Sequence, residues 1–438
     1  MRDGINQAVK DNVDGLKRIS GMLGRVVLPA GFAFLLAMLM QGCSGGGGDN
    51  ASPSPSQSNG PSPSQSNGPS PSQSSGAIEV QDLGTHSISN DGSVDLQVQV
   101  SSASSFMLIA DGGTTTADID IDSLSDPTGA VWVTPSFTDQ DPIGRNKLQD
   151  IDTMASGIFP HTPHYSISDG TYPFRVRSFN ASSNTHVTAI INHRTNPAGG
   201  TLGVNLIFCG IPDINASNAL NNSQFQVLFQ EFVRIYALSN INVEIAGLLD
   251  CDPADAGRLT FVNTANEELG DLVANSRRIN NQAMNFFFVQ GFENQPGAIG
   301  RTAKISGPAI IQGTRYSGVV TTTLDGPIGD LTQADLLIQG ATMAHEGGHY
   351  FGLYHTTESF GAGATGTGFP AWELVDPIND TPACPVTNDV NHDGMVGAIE
   401  CLNLDGRNLM FWLAEDGVVQ DQLTEGQQFV LHRHPYLH

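Results

Sequence analysis

The 438 residues include 19 basic and 44 acidic side chains, for a formal net charge of −25. A chain this acidic lacks the positive surface that nucleic acid requires, which sets that class of partner aside. Its length allows two domains plus tails.

At the N-terminus, Arg18 and Arg25 precede an apolar run from Val26 to Met40, which ends at Gln41-Gly42-Cys43. The run is short for a membrane span and fits the core of a signal peptide, so residues 1–42 are expected to be removed on export. They take five basic and three acidic residues with them, leaving 14 basic against 41 acidic and a net charge of −27. An acidic surface of this kind serves solubility and is compatible with calcium binding.

Leu39-Met40-Gln41-Gly42-Cys43 resembles a bacterial lipobox, which implies that Cys43 becomes the lipidated first residue of the mature chain. After Cys43, residues 44–76 are mainly Gly, Ser, Pro and Gln, with an eight-residue Pro-Ser-Pro-Ser-Gln-Ser-Asn-Gly repeat from Pro53. Such a segment cannot bury enough apolar surface to offset chain ordering and reads as a tether. The expected location is the bacterial outer membrane or cell surface, possible release aside. Membrane contact is expected only through the anchor, and the state is expected to be monomeric.

Residues 77–197 read as β-structure, with alternating runs such as Ser93–Val100 and His186–Ile191 separated by Asp-Gly and Asp-Pro turns. A β-sandwich domain is expected. Its histidines (His161, His164, His186 and His193) show no metal spacing and read as surface or packing residues.

From residue 198 the pattern changes to strand and helix in alternation. Strands are predicted at Thr201–Phe208, Ile241–Leu249 and Met284–Val289, and helices over 222–239 and 266–281. Further strands are predicted within 302–323, one of them an edge. This order predicts an α/β (α+β) domain over 198–438, with a twisted mixed sheet that is mostly parallel. The exported chain carries four further cysteines, which allow three disulfide connectivities. The simplest is local and joins Cys209 to Cys251 and Cys384 to Cys401.

Thr332 and Asp335 form a capping-box pattern that opens a helix running towards Gly352. His345-Glu346-Gly347-Gly348-His349 lies within it, and residues four apart share a helix face, so His345 and His349 can offer imidazoles to one zinc ion. Glu346 is rotated by about 100°, within reach of a water on the metal. Gly352 permits positive φ, ends the helix and lets the chain return His355 as a third ligand. Gly347 and Gly348 cost about 1 kcal/mol each against alanine in a helix, which points to close packing at that level.

The string from His345 to His355 has every fixed position of H-E-x-x-H-x-x-G-x-x-H and resembles the metzincin zinc peptidases. Asn408-Leu409-Met410-Phe411-Trp412 resembles their Met-turn, with Met410 as the apolar floor beneath the imidazoles. Adding Asp380-Thr381-Pro382, the Cys384/Cys401 pair and Leu423–Gln428, the C-terminal half is similar to pappalysin-type metzincins. The resemblance implies zinc-dependent endopeptidase activity on a protein or peptide substrate, with structural calcium. Those relatives often carry a tyrosine two residues after the Met-turn methionine, able to reach the metal or an oxyanion; this chain has Trp412.

Asp389 to Glu400 matches the twelve-residue EF-hand loop, with oxygen donors at Asp389, Asn391 and Asp393, Gly394 at the sixth position, Met395 at the carbonyl position and Glu400 at the twelfth. Without flanking helices it reads as an isolated calcium loop, stapled by Cys384–Cys401. The alternative to an enzyme is a surface lipoprotein that binds a protein or glycan and keeps zinc structurally. The β-sandwich is expected to be a binding module, an inhibitory prodomain or a spacer.

Overall fold

The computed structural model describes residues 73–74, 77–113, 116–134, 152–264, 267–295, 297–362 and 376–438. The signal peptide, Cys43 and nearly all of the 43–76 tether lie outside the described residues. Within the tether, Gln73–Ser74 form a short strand, β1, paired antiparallel with Val80 and Glu79.

The N-terminal strands are β2 (Ile78–Ile88), β3 (Ser93–Val100), β4 (Ser105–Asp111), β5 (Asp118–Ser125), β6 (Val131–Val133), β7 (Met154–Phe159), β8 (Gly170–Phe179) and β9 (Ser183–Asn192). They form two antiparallel sheets, ordered β1-β2-β9-β4-β7 and β3-β8-β5-β6. Val98, Phe106, Leu108, Tyr172, Val176 and Ile191 fill the space between them. Along β4 the alternate residues Met107 and Ile109 leave this cluster and join another, shared with the C-terminal half. Since successive strand residues point to opposite faces, a strand covered on both sides reads as an unbroken apolar run. Phe106 to Ala110 is such a run.

The C-terminal half contains β10 (Gly200–Phe208), α1 (Ser223–Ala237), β11 (Ile241–Asp250), α2 (Pro253–Ala256), β12 (Phe261–Val262), α3 (Glu268–Val273), β13 (Met284–Val289), β14 (Gly291–Phe292), β15 (Gly300–Thr302), β16 (Val319–Thr322), α4 (Gln333–Phe351) and α5 (Glu425–Arg433). A five-stranded sheet runs β11-β10-β13-β16-β15, parallel except for the antiparallel edge strand β15. β13 alternates between two cores: Phe286 and Phe288 face α1 and α4, while Phe287 and Val289 face the cluster around Leu272 and Val273. Asn222 caps α1 by accepting from Phe225 N at 3.0 Å, and Phe225, Leu228, Phe232 and Ile235 are buried beneath it. The disulfides are Cys209–Cys251 and Cys384–Cys401.

Two predicted elements come out differently. The helix predicted over 266–281 stops at Val273 and tightens into a 3-10 turn, Ala274–Arg278. There the Asn275 side chain donates to Asp271 O at 3.2 Å and to Asp255 Oδ2, a side-chain alternative to regular helix bonding. Within 302–323 the structure forms strand only at Thr302 and at Val319–Thr322. Between them the chain turns at Ser306 and Ile310, both with positive φ, and no pleated ladder follows that path.

Candidate metal centre

The local rules that start and stop α4 also position its histidines. Thr332 Oγ1 accepts from Asp335 N at 3.2 Å, and Asp335 Oδ2 accepts from Thr332 N at 2.9 Å, a reciprocal box at the first turn. At the other end Gly352 adopts φ 110°, a left-handed cap, and Leu353 N donates back to Gly348 O at 2.9 Å. That reversal brings His355 back over the helix. His349 Nε2 lies 3.1 Å from His355 Nε2, which lies 3.3 Å from His345 Nε2.

The other nitrogen of each ring fixes its tautomer. His345 Nδ1 meets Leu409 O at 2.7 Å, His349 Nδ1 meets Leu353 O at 2.7 Å, and His355 Nδ1 meets Glu358 Oε1 at 3.0 Å. Two of these partners are carbonyls and the third is a carboxylate, so each Nδ1 carries the hydrogen and each Nε2 keeps a lone pair. Burial pushes the His345 pKa down to about 3 and that of His349 well below the ordinary range, which keeps both rings neutral. Three imidazole Nε2 atoms turned towards one point form a donor set suited to zinc.

Glu346 is buried, and burial raises its pKa while a hydrogen bond from Thr302 opposes the rise. Thr302 Oγ1 lies 2.8 Å from Glu346 Oε2 and 2.6 Å from Glu346 O. β15 can come this close because Gly300 has no side chain: a Cβ there would stand 2.6 Å from Glu346 Cγ. The two helix glycines have the same explanation. A Cβ on Gly347 would meet Tyr236 Oη at 2.4 Å, and one on Gly348 would meet Met410 Sδ at 2.5 Å. The helix-propensity cost is offset by packing that no larger residue allows.

Met410 is fully buried under Gly348, and its turn is held from two sides. Asn408 Oδ1 accepts from Met410 N at 2.8 Å, while the Asn408 and Gln427 side-chain amides pair reciprocally at 2.8 and 3.1 Å. Gln427 belongs to the capping box of α5, and Asp380 accepts from Thr424 Oγ1 and Gly426 N, each at 2.8 Å. Three of the sequence segments picked out above therefore converge on one support. Trp412 turns away from it, and its indole N–H donates to Val396 O at 2.9 Å.

The Asp389–Glu400 loop is arranged differently. Gly394 N donates to Asp389 Oδ2 at 3.0 Å, Asp393 N to Asn391 Oδ1 at 2.9 Å, and Met395 N to Asp393 Oδ1 at 2.9 Å. The Glu400 carboxylate is turned onto backbone, taking Val390 N and Gly397 N at 2.9 Å each. Among the described residues, only two groups of three His, Cys, Asp or Glu converge to within 4.8 Å, and the carboxylates of this loop are not one of them. One group is the histidine cluster. The other is Cys384, Cys401 and Asp405, whose cysteines are spent in a disulfide. Asp389 Oδ1 is buried and makes no hydrogen bond among the described residues.

Sequence reasoning missed Thr302, Glu358 and the carbonyls of Leu353 and Leu409. Only Glu358 left a signal, as an acid three residues beyond His355 where a metal-bound ring needs an acceptor.

No protein-family model and no curated protein matches this chain. Among solved structures it is similar to metalloproteinase-II from Bacteroides fragilis, at 14% identity and a TM-score of 0.24, over 44% of this chain and 59% of that one. A protein from Bacillus subtilis, YxiM, is similar at 7% identity and a TM-score of 0.13, over 50% and 57%. The chain thus spans less than two thirds of either, and TM-scores this low do not fix a shared fold.

Proposed function

We propose that this chain is an exported zinc endopeptidase of metzincin, pappalysin-like type, with His345, His349 and His355 holding the metal and Glu346 as general base. The observation that carries the proposal is the set of three Nε2 atoms within 3.3 Å contacts, each with its opposite nitrogen bound to an acceptor. When bound, zinc would act as a Lewis acid towards a water and the scissile carbonyl. Glu346 accepts the proton of the attacking water and passes it to the leaving amine. Thr302 holds one carboxylate oxygen of Glu346 during both transfers, and the missing side chain of Gly300 lets β15 lie against it. Met410 supports the helix from below. Trp412 is committed to Val396 and takes no part, so the tyrosine role of relatives is not carried at that position.

The mature chain would be anchored through lipidated Cys43, held off the bacterial surface by the 43–76 tether, and act as a monomer on peptide substrates. The N-terminal sheets form a β-sandwich in this reading. Asp389, Asn391, Asp393, Glu400 and the Met395 carbonyl would hold structural calcium; the unsatisfied Asp389 Oδ1 supports this, and Glu400 would have to leave its amide partners.

The test is cleavage of a peptide library by wild type and Glu346→Ala, with zinc measured in both. Zinc in both with cleavage by the wild type alone supports the reading. Zinc without any cleavage by wild type would favour a binding lipoprotein with structural zinc.

A further inference from the structure

The C-terminal end of a helix leaves its last carbonyls without partners, and those of α4 sit where the metal site is built. His349 O accepts from Ser306 N at 3.2 Å and Tyr350 O from Gly307 N at 2.9 Å, so the 306–307 segment closes the helix end. That segment is itself held from the N-terminal sheets, because Ser156 on β7 donates its hydroxyl to Ser306 O. Just beyond β7, His161 is fully buried and its Nε2 lies 2.5 Å from Gly352 O. A carbonyl only accepts, so His161 donates. Its ring also lies 5.7 Å from that of Tyr354, the residue before the third ligand. His161 thus touches both ends of the turn that delivers His355.

This contact belongs to a broad attachment. Met107, Ile109, Met154, Ile158 and Ile190 share one apolar cluster with Met343, Tyr350, Phe351 and Leu353 around the zinc helix. Burying these side chains together favours the attached arrangement over one in which the two halves separate. The end of α5 is held the same way, with Asn192 Nδ2 donating to Arg433 O at 3.0 Å.

We propose that the N-terminal sheets are a permanent part of the metal site, and that His161 is a positioning residue for His355 acting through the Gly352 turn. The assignment rests on the zinc reading above. It makes the region neither a removable prodomain nor a detachable binding module.

The test uses the full chain with His161→Leu, which keeps bulk and removes the donor, and His161→Gln, whose amide can donate to the same carbonyl. Ser156→Ala serves as a second, milder probe. Affinity for Zn²⁺ is read by chelator competition, the ligand field by the visible spectrum of the Co²⁺-loaded chain, and metal-free stability by thermal unfolding. Expected are a Zn²⁺ affinity lowered about 10-fold or more in His161→Leu, a changed Co²⁺ spectrum, and recovery of both in His161→Gln, since partners beyond the ligands typically set 10–100-fold in affinity. Should His161→Leu fail to fold, Ser156→Ala is expected to show a smaller loss in the same direction. Wild-type Zn²⁺ affinity and spectrum in both His161→Leu and Ser156→Ala would overturn the assignment, as would equal losses in the Leu and Gln variants that track metal-free stability. A wild-type chain that takes up no Zn²⁺ would instead overturn the zinc reading, and this assignment with it.

Discussion

The two candidate metal centres differ in what holds their donors in place. At the histidine cluster every ring is fixed by a partner on its far nitrogen, and two of those partners are backbone carbonyls of the turns at Leu353 and Leu409. In the Asp389–Glu400 loop the acidic oxygens other than Asp389 Oδ1 are turned onto the loop's own amides, and the carboxylates do not converge. Neutral buried imidazoles repel little and can be assembled by the fold alone. Carboxylates repel one another and are drawn together by the cation itself. On the proposed reading the histidine site is built by folding, whereas the acidic loop would be completed by calcium.

That contrast can be broken in several ways. The strongest concerns the staple of the acidic loop. Cys384 and Cys401 are 17 residues apart, and closing a loop of that size is worth about 3 kcal/mol. The double substitution Cys384→Ser, Cys401→Ser is expected to lower unfolding free energy by about that amount in denaturant titration, with one zinc per chain retained. Loss of zinc in that variant would show that the two centres are coupled.

Calcium comes next. At a concentration about 100 times its dissociation constant, an ion that binds only the folded state adds about 2.7 kcal/mol. Thermal unfolding with and without Ca²⁺ should show the shift in wild type and not in Asp389→Ala. An unchanged midpoint in wild type would remove calcium from the account.

For the histidine cluster, Glu358→Gln keeps an acceptor on His355 but loses its charge. Zinc affinity is expected to fall about 10-fold, at the lower end of the range for such partners, as read by chelator competition. Full affinity would mean that the turn alone orients the ring.

A last test concerns neutral burial away from the histidine cluster, with an effect confined to acid pH. Burial pushes the His434 pKa down to about 3, against an ordinary 6.5. Between those values the unfolded chain binds a proton that the folded chain does not. Stability is thus full above about pH 6.5 and falls as pH drops towards 3, by up to about 1.4 kcal/mol per pH unit for this residue. His434→Phe, whose ring suits contacts with Phe351 and Tyr436, is expected to flatten that slope in denaturation series at different pH.

How far the sequence could be read follows from the range of the interactions involved. The capping box at Thr332, the left-handed Gly352 and the three histidines are local, and local rules located them. Gly347 and Gly348 were legible as an anomaly, but their cause lies on other elements, at Tyr236 and Met410. Thr302 and His161 act across 44 and 191 residues of chain, where no spacing rule applies. The unbroken apolar run Phe106–Ala110 is the trace a strand covered on both faces leaves in a sequence, yet nothing in it names α4 as the second cover. The helix predicted through Asn281 failed at Asn275, whose side chain found partners that only the folded structure supplies.

The central claim is that folding alone assembles a zinc site with a working base. The most direct measurement is zinc content and peptide cleavage for the wild type and for Glu346→Ala, prepared side by side. One zinc per chain in both is expected, with cleavage in the variant reduced by about a thousandfold, within the range of general acid–base catalysis. No zinc in the wild type, or full cleavage by Glu346→Ala, would contradict the account.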